Sequence, residues 1–171
     1  DLLVAPLRVN LWRAPTDNDA AILWGDRAMG GKWRKAGLDR LEASETVIEA
    51  TQINAQSAKV VSRFRLQAPD CDPAFGCTLT YTIYGTGEMV VESEIAPHGE
   101  LPPLPRVGLA FVMPAPFRDL SWYGRGPHES YVDRKEGARV GVYGIPVREQ
   151  PMPYVVPQEH GNRTDCLLYT S

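Results

Sequence analysis

Apolar residues recur at every second position through most of the chain beyond about residue 58, and this period restricts the fold more than any other feature. In "KVVSRFRLQ", Val60, Phe64 and Leu66 fall on one face while Arg63 and Arg65 fall on the other, as in a strand with one covered and one wet face. "CTLTYTIYGTGEMVVESEI" repeats the pattern. Leu79, Tyr81 and Ile83 precede the turn-forming "GTG" of 85–87, and Met89, Val91 and Ile95 follow it, which predicts a β-hairpin. "VGLAFVM" sets Val107, Leu109, Phe111 and Met113 on one side, and "ARVGVYG" gives a weaker series of Ala138, Val140 and Val142. Proline-rich breaks at 97–105, 114–116 and 151–157 separate these segments. Proline has no N–H to donate to a ladder, so the breaks are crossings between strands. Only "GDRAMGGKWRKAGLDRL" has a helical pattern, and its glycines limit it to one or two short turns. The expected fold class is all-β and antiparallel, without internal repeats.

Composition narrows the function. A chain of 171 residues suffices for one domain with a real core. The net charge of -3 and the scattered lysines and arginines offer no basic stripe, which excludes nucleic acid as a partner. No apolar run approaches the ~20 residues of a membrane span. The chain opens "DLLVAPLRVNLW", with neither Met nor a charged-then-apolar leader, and is read as an internal piece of something longer. Cys71, Cys77 and Cys166 are too few for a disulfide framework and are expected as free thiols. His98, His128 and His160 stand far apart, with no CxxC or HxxxH spacing, so no metal site is expected.

Three polar constellations lie in proline-marked connections, where binding groups are usually placed: "WRAPTDND" at 12–19, "GRGPHESYVDR" at 124–134 and "VPQEHGNR" at 156–163. Asp17, Asn18 and Asp19 could serve acid-base work or a hard cation. An Asx turn after Pro15, with Arg13 paired to one carboxylate, is the simpler reading. Glu129 and Asp133 could be a glycosidase pair, which needs carboxyl groups about 5 to 9 Å apart with divergent pKa values. A turn tied by Glu129 to Arg125 or by Asp133 to Arg134 is the simpler reading, and Glu159 with Arg163 admits the same ion-pair reading. His128 and Ser130 do not suggest a triad with Asp133, because adjacent residues on extended chain point to opposite faces and no G-x-S-x-G elbow is present. Trp12, Trp24, Trp33 and Trp122 could stack on sugar rings, though tryptophans are more often core anchors.

Taken in order, "RAPTDND", "YGRGPHESYVDR" and "PYVVPQEHGNR" resemble the carboxy-terminal β domain, or small chain, of the large β-galactosidases of glycoside hydrolase family 2. Three long motifs in one order make the resemblance specific over residues 1–165. It implies an antiparallel supersandwich related to galactose mutarotase, and a catalytic pair of glutamates on a preceding barrel domain rather than in this chain. Gly126, Pro127, His128, Glu129, Ser130, Tyr131, Asp133 and Arg134 would form a mobile loop at the active-site rim, with Gly126 as a hinge. Arg13, Asp17, Asn18, Asp19, Gln158, Glu159 and Arg163 would be family motif positions at an interface. No cofactor is expected in this chain, while magnesium and sodium are implied for the parent enzyme. The implied parent is a cytoplasmic homo-oligomer that meets its β-galactoside substrate through the barrel.

Relative to that family the chain is expected to be incomplete at its C-terminus, lacking later strands of the sandwich and an aromatic side chain that reaches the sugar. The closing "CLLYTS" matches the translation of TGT CTC TTA TAC ACA TCT, a transposon-end adaptor used in short-read library preparation. Residues 166–171 are therefore expected to be adaptor-encoded, the alternative being a natural apolar strand. The competing function is a stand-alone carbohydrate-binding β-sandwich that grips sugar with exposed tryptophans.

Overall fold

The computed structural model describes residues 3–20 and 28–170. Its nine strands are β1 (Ala5–Asn10), β2 (Glu42–Asn54), β3 (Ser57–Gln67), β4 (Ala74–Tyr84), β5 (Met89–His98), β6 (Gly108–Val112), β7 (Asp119–Gly126), β8 (Arg139–Pro146) and β9 (Leu168–Thr170). Two short helices, α1 (Asp17–Ala20) and α2 (Met29–Lys35), and two single 3₁₀ turns complete the described elements. The chain is all-β and antiparallel, as the alternation predicts. It divides into two compact units: residues 9–13 with 18–108, and residues 1–8 with 14–17 and 109–171.

The larger unit is built on the sheet β2-β3-β4-β5. The predicted hairpin closes at "GTG", where the Tyr84 N–H reaches the Glu88 carbonyl at 2.9 Å and the Gly87 N–H reaches the Tyr84 carbonyl at 3.0 Å. One sheet face carries Leu66, Phe75 and Cys77 into a buried cluster with Leu11, Trp33, Ala36 and Leu38. Helix α2 reads MGGKWRK, a sequence of poor intrinsic helicity. Packing stabilises it instead: Trp33 is buried in the core and donates its indole N–H to the Pro103 carbonyl at 2.8 Å. Desolvation in this core pushes the Cys77 thiol up to about 11.

Strand β2 lies outside what alternation predicts, since the period becomes clear only near residue 58. All thirteen of its residues are exposed, so neither face was written as apolar. Its register with β3 also shifts between Ser44 and Val47, where Glu45 adopts a φ of 53°, and again between Gln52 and Asn54. A bulge breaks the period of two on which strand reading depends.

The smaller unit contains the pair β1-β6 and the sheet β8-β7-β9. Here the alternation identifies strands but not covered faces. Val107 and Phe111, expected on a buried side, are 64% and 56% exposed. Ala138 is fully buried, yet Val140 and Val142 of the same series are exposed. Alternation marks a face suited to burial; whether chain lies over that face is a tertiary matter.

Candidate functional site

The polar motifs after β7 are assembled around two buried residues, Glu129 and Ser130. Trp122 of β7 provides the apolar base. It is buried, gives its indole N–H to the Arg125 carbonyl at 2.9 Å, packs against Tyr143 at 5.6 Å and carries the Arg163 guanidinium 4.9 Å above its ring. Arg125 then ties the start of the loop to its end. Its Nε donates to Asp165 at 2.5 Å, and its Nη1 donates to the carbonyls of Lys135 at 3.0 Å and Ala138 at 2.9 Å. The bond from Arg125 holds the Asp165 carboxyl below the usual carboxylate range, with help from the Lys135 charge.

The chain continues through a cis Gly126-Pro127 bond. Gly126 does not have a positive φ. What excludes a side chain there is the Tyr143 ring, whose Cδ2 lies 2.5 Å from the position a Cβ would occupy. In this conformation the glycine is needed for close packing. Pro127, His128 and Asp133 are exposed.

Glu129 is turned inward and accepts from three donors: the Arg134 guanidinium at 2.6 Å, the Tyr154 hydroxyl, and the Gly161 N–H at 2.7 Å. Gly161 has a φ of 80°, so the glycine of the third motif supplies a left-handed turn that aims its N–H at the carboxylate. Burial pulls the Glu129 carboxyl upward, but the Tyr154 and Gly161 bonds and the Arg134 charge outweigh it and leave the pKa below the ordinary value. The neighbouring Ser130 hydroxyl lies 2.8 Å from that of Thr164 and accepts the Thr164 N–H at 3.0 Å. Its backbone bonds Asn162 twice: N–H to the Asn162 carbonyl, and carbonyl from the Asn162 side-chain amide, both at 2.8 Å. Tyr131 has its phenol pushed up to about 12, by burial first and then by the charges of Glu129 and Glu159. Arg134 lies 4.7 Å over the Tyr131 ring, and its own pKa is raised, chiefly by the bond to Tyr154.

The second and third motifs are thus one construction, with partners that differ from those expected. Glu129 pairs with Arg134 rather than Arg125, and Arg125 pairs with Asp165. Arg163 lies over Trp122 and donates to the Asn162 carbonyl rather than bridging to Glu159. The Glu159 N–H bonds the Pro15 carbonyl at 3.3 Å, and Gln158 Oε1 accepts the Asp17 N–H at 3.1 Å. In the first motif Arg13 pairs with Asp19 at 2.6 Å, and Asp17, Asn18 and Asp19 begin one helical turn. Sequence reasoning missed Tyr154, Asn162, Thr164 and Asp165. Tyr154 stands inside the quoted "PYVVPQEHGNR", but nothing there tells that its phenol meets a carboxylate 25 residues earlier.

Chemically, the Glu129 carboxylate is held in its ionised form by three donors, two on Oε1 and one on Oε2, which is the opposite of a poised general acid. The Ser130 hydroxyl faces Thr164, not an imidazole. Asp19 is occupied by Arg13, and the described residues hold no group of three or more His, Cys, Asp or Glu side chains able to take a metal ion. Trp33 and Trp122 are buried and Trp12 packs partly buried against Trp33, leaving no open aromatic platform among them; Trp24 lies outside the described residues. No helix among the described residues is long and apolar enough to cross a membrane.

Residues 1–170 match the family described as the beta-galactosidase small chain. The β-galactosidase of Priestia megaterium is 39% identical over 165 residues, covering 96% of this chain and 15% of that protein. Those of Vibrio cholerae and Alteromonas mediterranea are 36% and 32% identical, covering 96% and 97% of this chain and 16% and 17% of theirs. The chain therefore spans about a sixth of the length of the relatives it matches.

Proposed function

The chain belongs to the β-galactosidase small-chain family, and from that premise we propose that it is a non-catalytic part of a larger, retaining β-galactosidase of glycoside hydrolase family 2. In this reading the parent hydrolyses terminal β-D-galactosides with glutamates carried elsewhere in the polypeptide. Any magnesium or sodium it uses is held there too. The chain supplies a wall beside the active site.

The observation that carries the reading is the three-donor clamp on Glu129. This carboxylate has the burial of a catalytic acid, but three donors hold it ionised and immobile, which suits an anchor. The anchoring favours residues 126–134 as a fixed wall over the mobile rim that the resemblance implies. A free-standing sugar-binding module gains no support, because the described tryptophans are used in packing.

The test is a graft. Residues 1–165 are placed in the Priestia megaterium β-galactosidase in place of its matching segment, and hydrolysis of a nitrophenyl β-galactoside is measured for the graft and for the 171-residue chain alone. The graft is expected to be active and the chain inert. Turnover by the chain alone, or a folded graft with no activity, would overturn the proposal.

A further inference from the structure

The two edges of the β2-β3-β4-β5 sheet are finished differently. The outer edge of β2 is broken by two register shifts and by the left-handed Glu45, devices that discourage an added strand. Strand β5 has neither a register shift nor a left-handed residue; Pro97, one residue from its end, lacks an N–H, so the open run of donors is residues 89–96. Its register with β4 runs unbroken from Met89 opposite Ile83 to His98 opposite Ala74. Among the described residues its strand backbone is bonded only through that ladder. An antiparallel strand paired on one side leaves half of its N–H and C=O groups pointing outward.

The side chains say which strand would fit. On one face of β5, Glu92 and Glu94 stand opposite Thr80 and Thr78, and neither carboxylate is in an ion pair. The nearest cations in register are on β3, two strands away and about 10 Å off. Of these, Arg63 is taken by Glu49 at 2.8 Å and Arg65 by Gln67 at 3.0 Å, while Lys59 is in register with Thr82 and Val90 rather than with either glutamate. On the other face β5 presents Met89, Val91 and Ile95; Met89 is 47% exposed at the open end, while Ile95 packs against the core. A second copy of β5 is a poor occupant, since antiparallel self-pairing brings Glu92 and Glu94 of the two copies together, and like charges across strands repel.

We propose that the open edge of β5 is a docking site for an extended peptide segment that alternates Lys or Arg with Val or Ile. Its basic residues pair with Glu92 and Glu94, its apolar residues continue the Met89-Val91-Ile95 face, and its backbone completes the ladder.

The probe is the capped hexapeptide Lys-Val-Lys-Val-Lys-Val, titrated into the 171-residue chain and followed by amide NMR. Shifts and new exchange protection are expected along 89–96, with affinity falling as salt rises. E92K/E94K, at exposed positions, should keep the thermal midpoint and weaken binding about tenfold or more. The acidic peptide Glu-Val-Glu-Val-Glu-Val should not bind. Absence of binding by the basic peptide, equal binding by the acidic one, shifts centred away from β5, or self-association of the chain through β5 would each overturn the assignment.

Discussion

The β2–β5 sheet and the loops that gather after β7 are held by different physics. In the sheet, backbone ladders and a shared apolar face distribute the stabilisation over many residues, so Phe75 or Leu66 contributes by area and shape. In the gathered loops, residues 125–134 and 154–165 are held by individual polar contacts, most of which converge on Glu129, Ser130 and Arg125. The first kind of structure loses stability by cavity, the second by stranding a charge or donor. The second is also specific: Gln or Asp in place of Glu129 has nearly the right size and the wrong donors or reach.

The largest effect should come from the sheet. Phe75→Ala removes a ring that is fully buried at the centre of the cluster and should cost about 3–5 kcal/mol in chemical denaturation. Cys77 lies in the same core, buried and with its thiol raised to about 11, so thiol labelling at pH 8 should require opening of the sheet and should accelerate in parallel with the lost stability. A Phe75→Ala protein whose Cys77 remains unlabelled would show that the core is not the cooperative unit described above.

Next is the clamp. Glu129→Ala strands the Gly161 N–H and the Tyr154 hydroxyl and releases Arg134, and because that guanidinium is half exposed the cost should be about 2–3 kcal/mol rather than that of a fully buried pair. The pH dependence has a definite sign. A carboxyl whose folded pKa is lowered contributes fully above its unfolded value, and the contribution is lost as pH falls through the folded one. The native chain should lose stability across the acid range below the ordinary glutamate pKa, and Glu129→Gln should flatten that limb. An unchanged acid limb in the variant would assign the stabilisation to other groups.

These two regions were not equally legible. The β3-β4-β5 meander is visible in the sequence because its cause, an apolar side chain at every second position, is local and repeats. Strand β2 is not, since its register shifts between Ser44 and Val47 and between Gln52 and Asn54 interrupt the period, and its apolar Val47 and Ile48 are consecutive and both exposed. In the clamp, the residue types were legible and the partners were not. The second and third motifs contain Glu129, Gly161 and Arg163, yet the donors to Glu129 lie 5, 25 and 32 positions away, and no period connects them. Loop polar contacts depend on where the chain is led by the strands, so their pairing follows the fold rather than preceding it.

A smaller effect tests the packing beneath the clamp. Gly126→Ala places a methyl against the Tyr143 ring, which cannot step aside freely because it lies against Trp122 and its hydroxyl donates to the Arg139 carbonyl at 3.0 Å. Overpacking of this kind should cost about 1–2 kcal/mol. Truncating the ring in Gly126→Ala/Tyr143→Ser should recover part of the loss, measured as a coupling in a double-mutant cycle. Additive losses would mean that the glycine is needed for something other than room.

The smallest expected effect concerns Cys166–Ser171, and it bears on how far the clamped region extends. The Leu167 N–H reaches the Tyr123 carbonyl at 2.9 Å, and β9 then pairs Leu168, Tyr169 and Thr170 with Tyr123, Trp122 and Ser121 of β7. A three-residue strand adds few bonds at an edge, and Leu167, just before it, is exposed. The polar contacts that close the clamp end at Asp165, which lies before the deletion. Removing 166–171 should therefore change the unfolding free energy by less than about 1 kcal/mol and leave labelling of Cys77 unaltered, as an adaptor-encoded tail requires. A larger loss would mean that these residues extend the sheet as a native strand, because Gly124 leaves room for Cys166, whose Cα and Sγ both lie 2.7 Å from the position a Cβ would take. In that case the close approach belongs to the tail, whereas in the first it is set by the path of residues 164 and 165, which bond Arg125 from the other side.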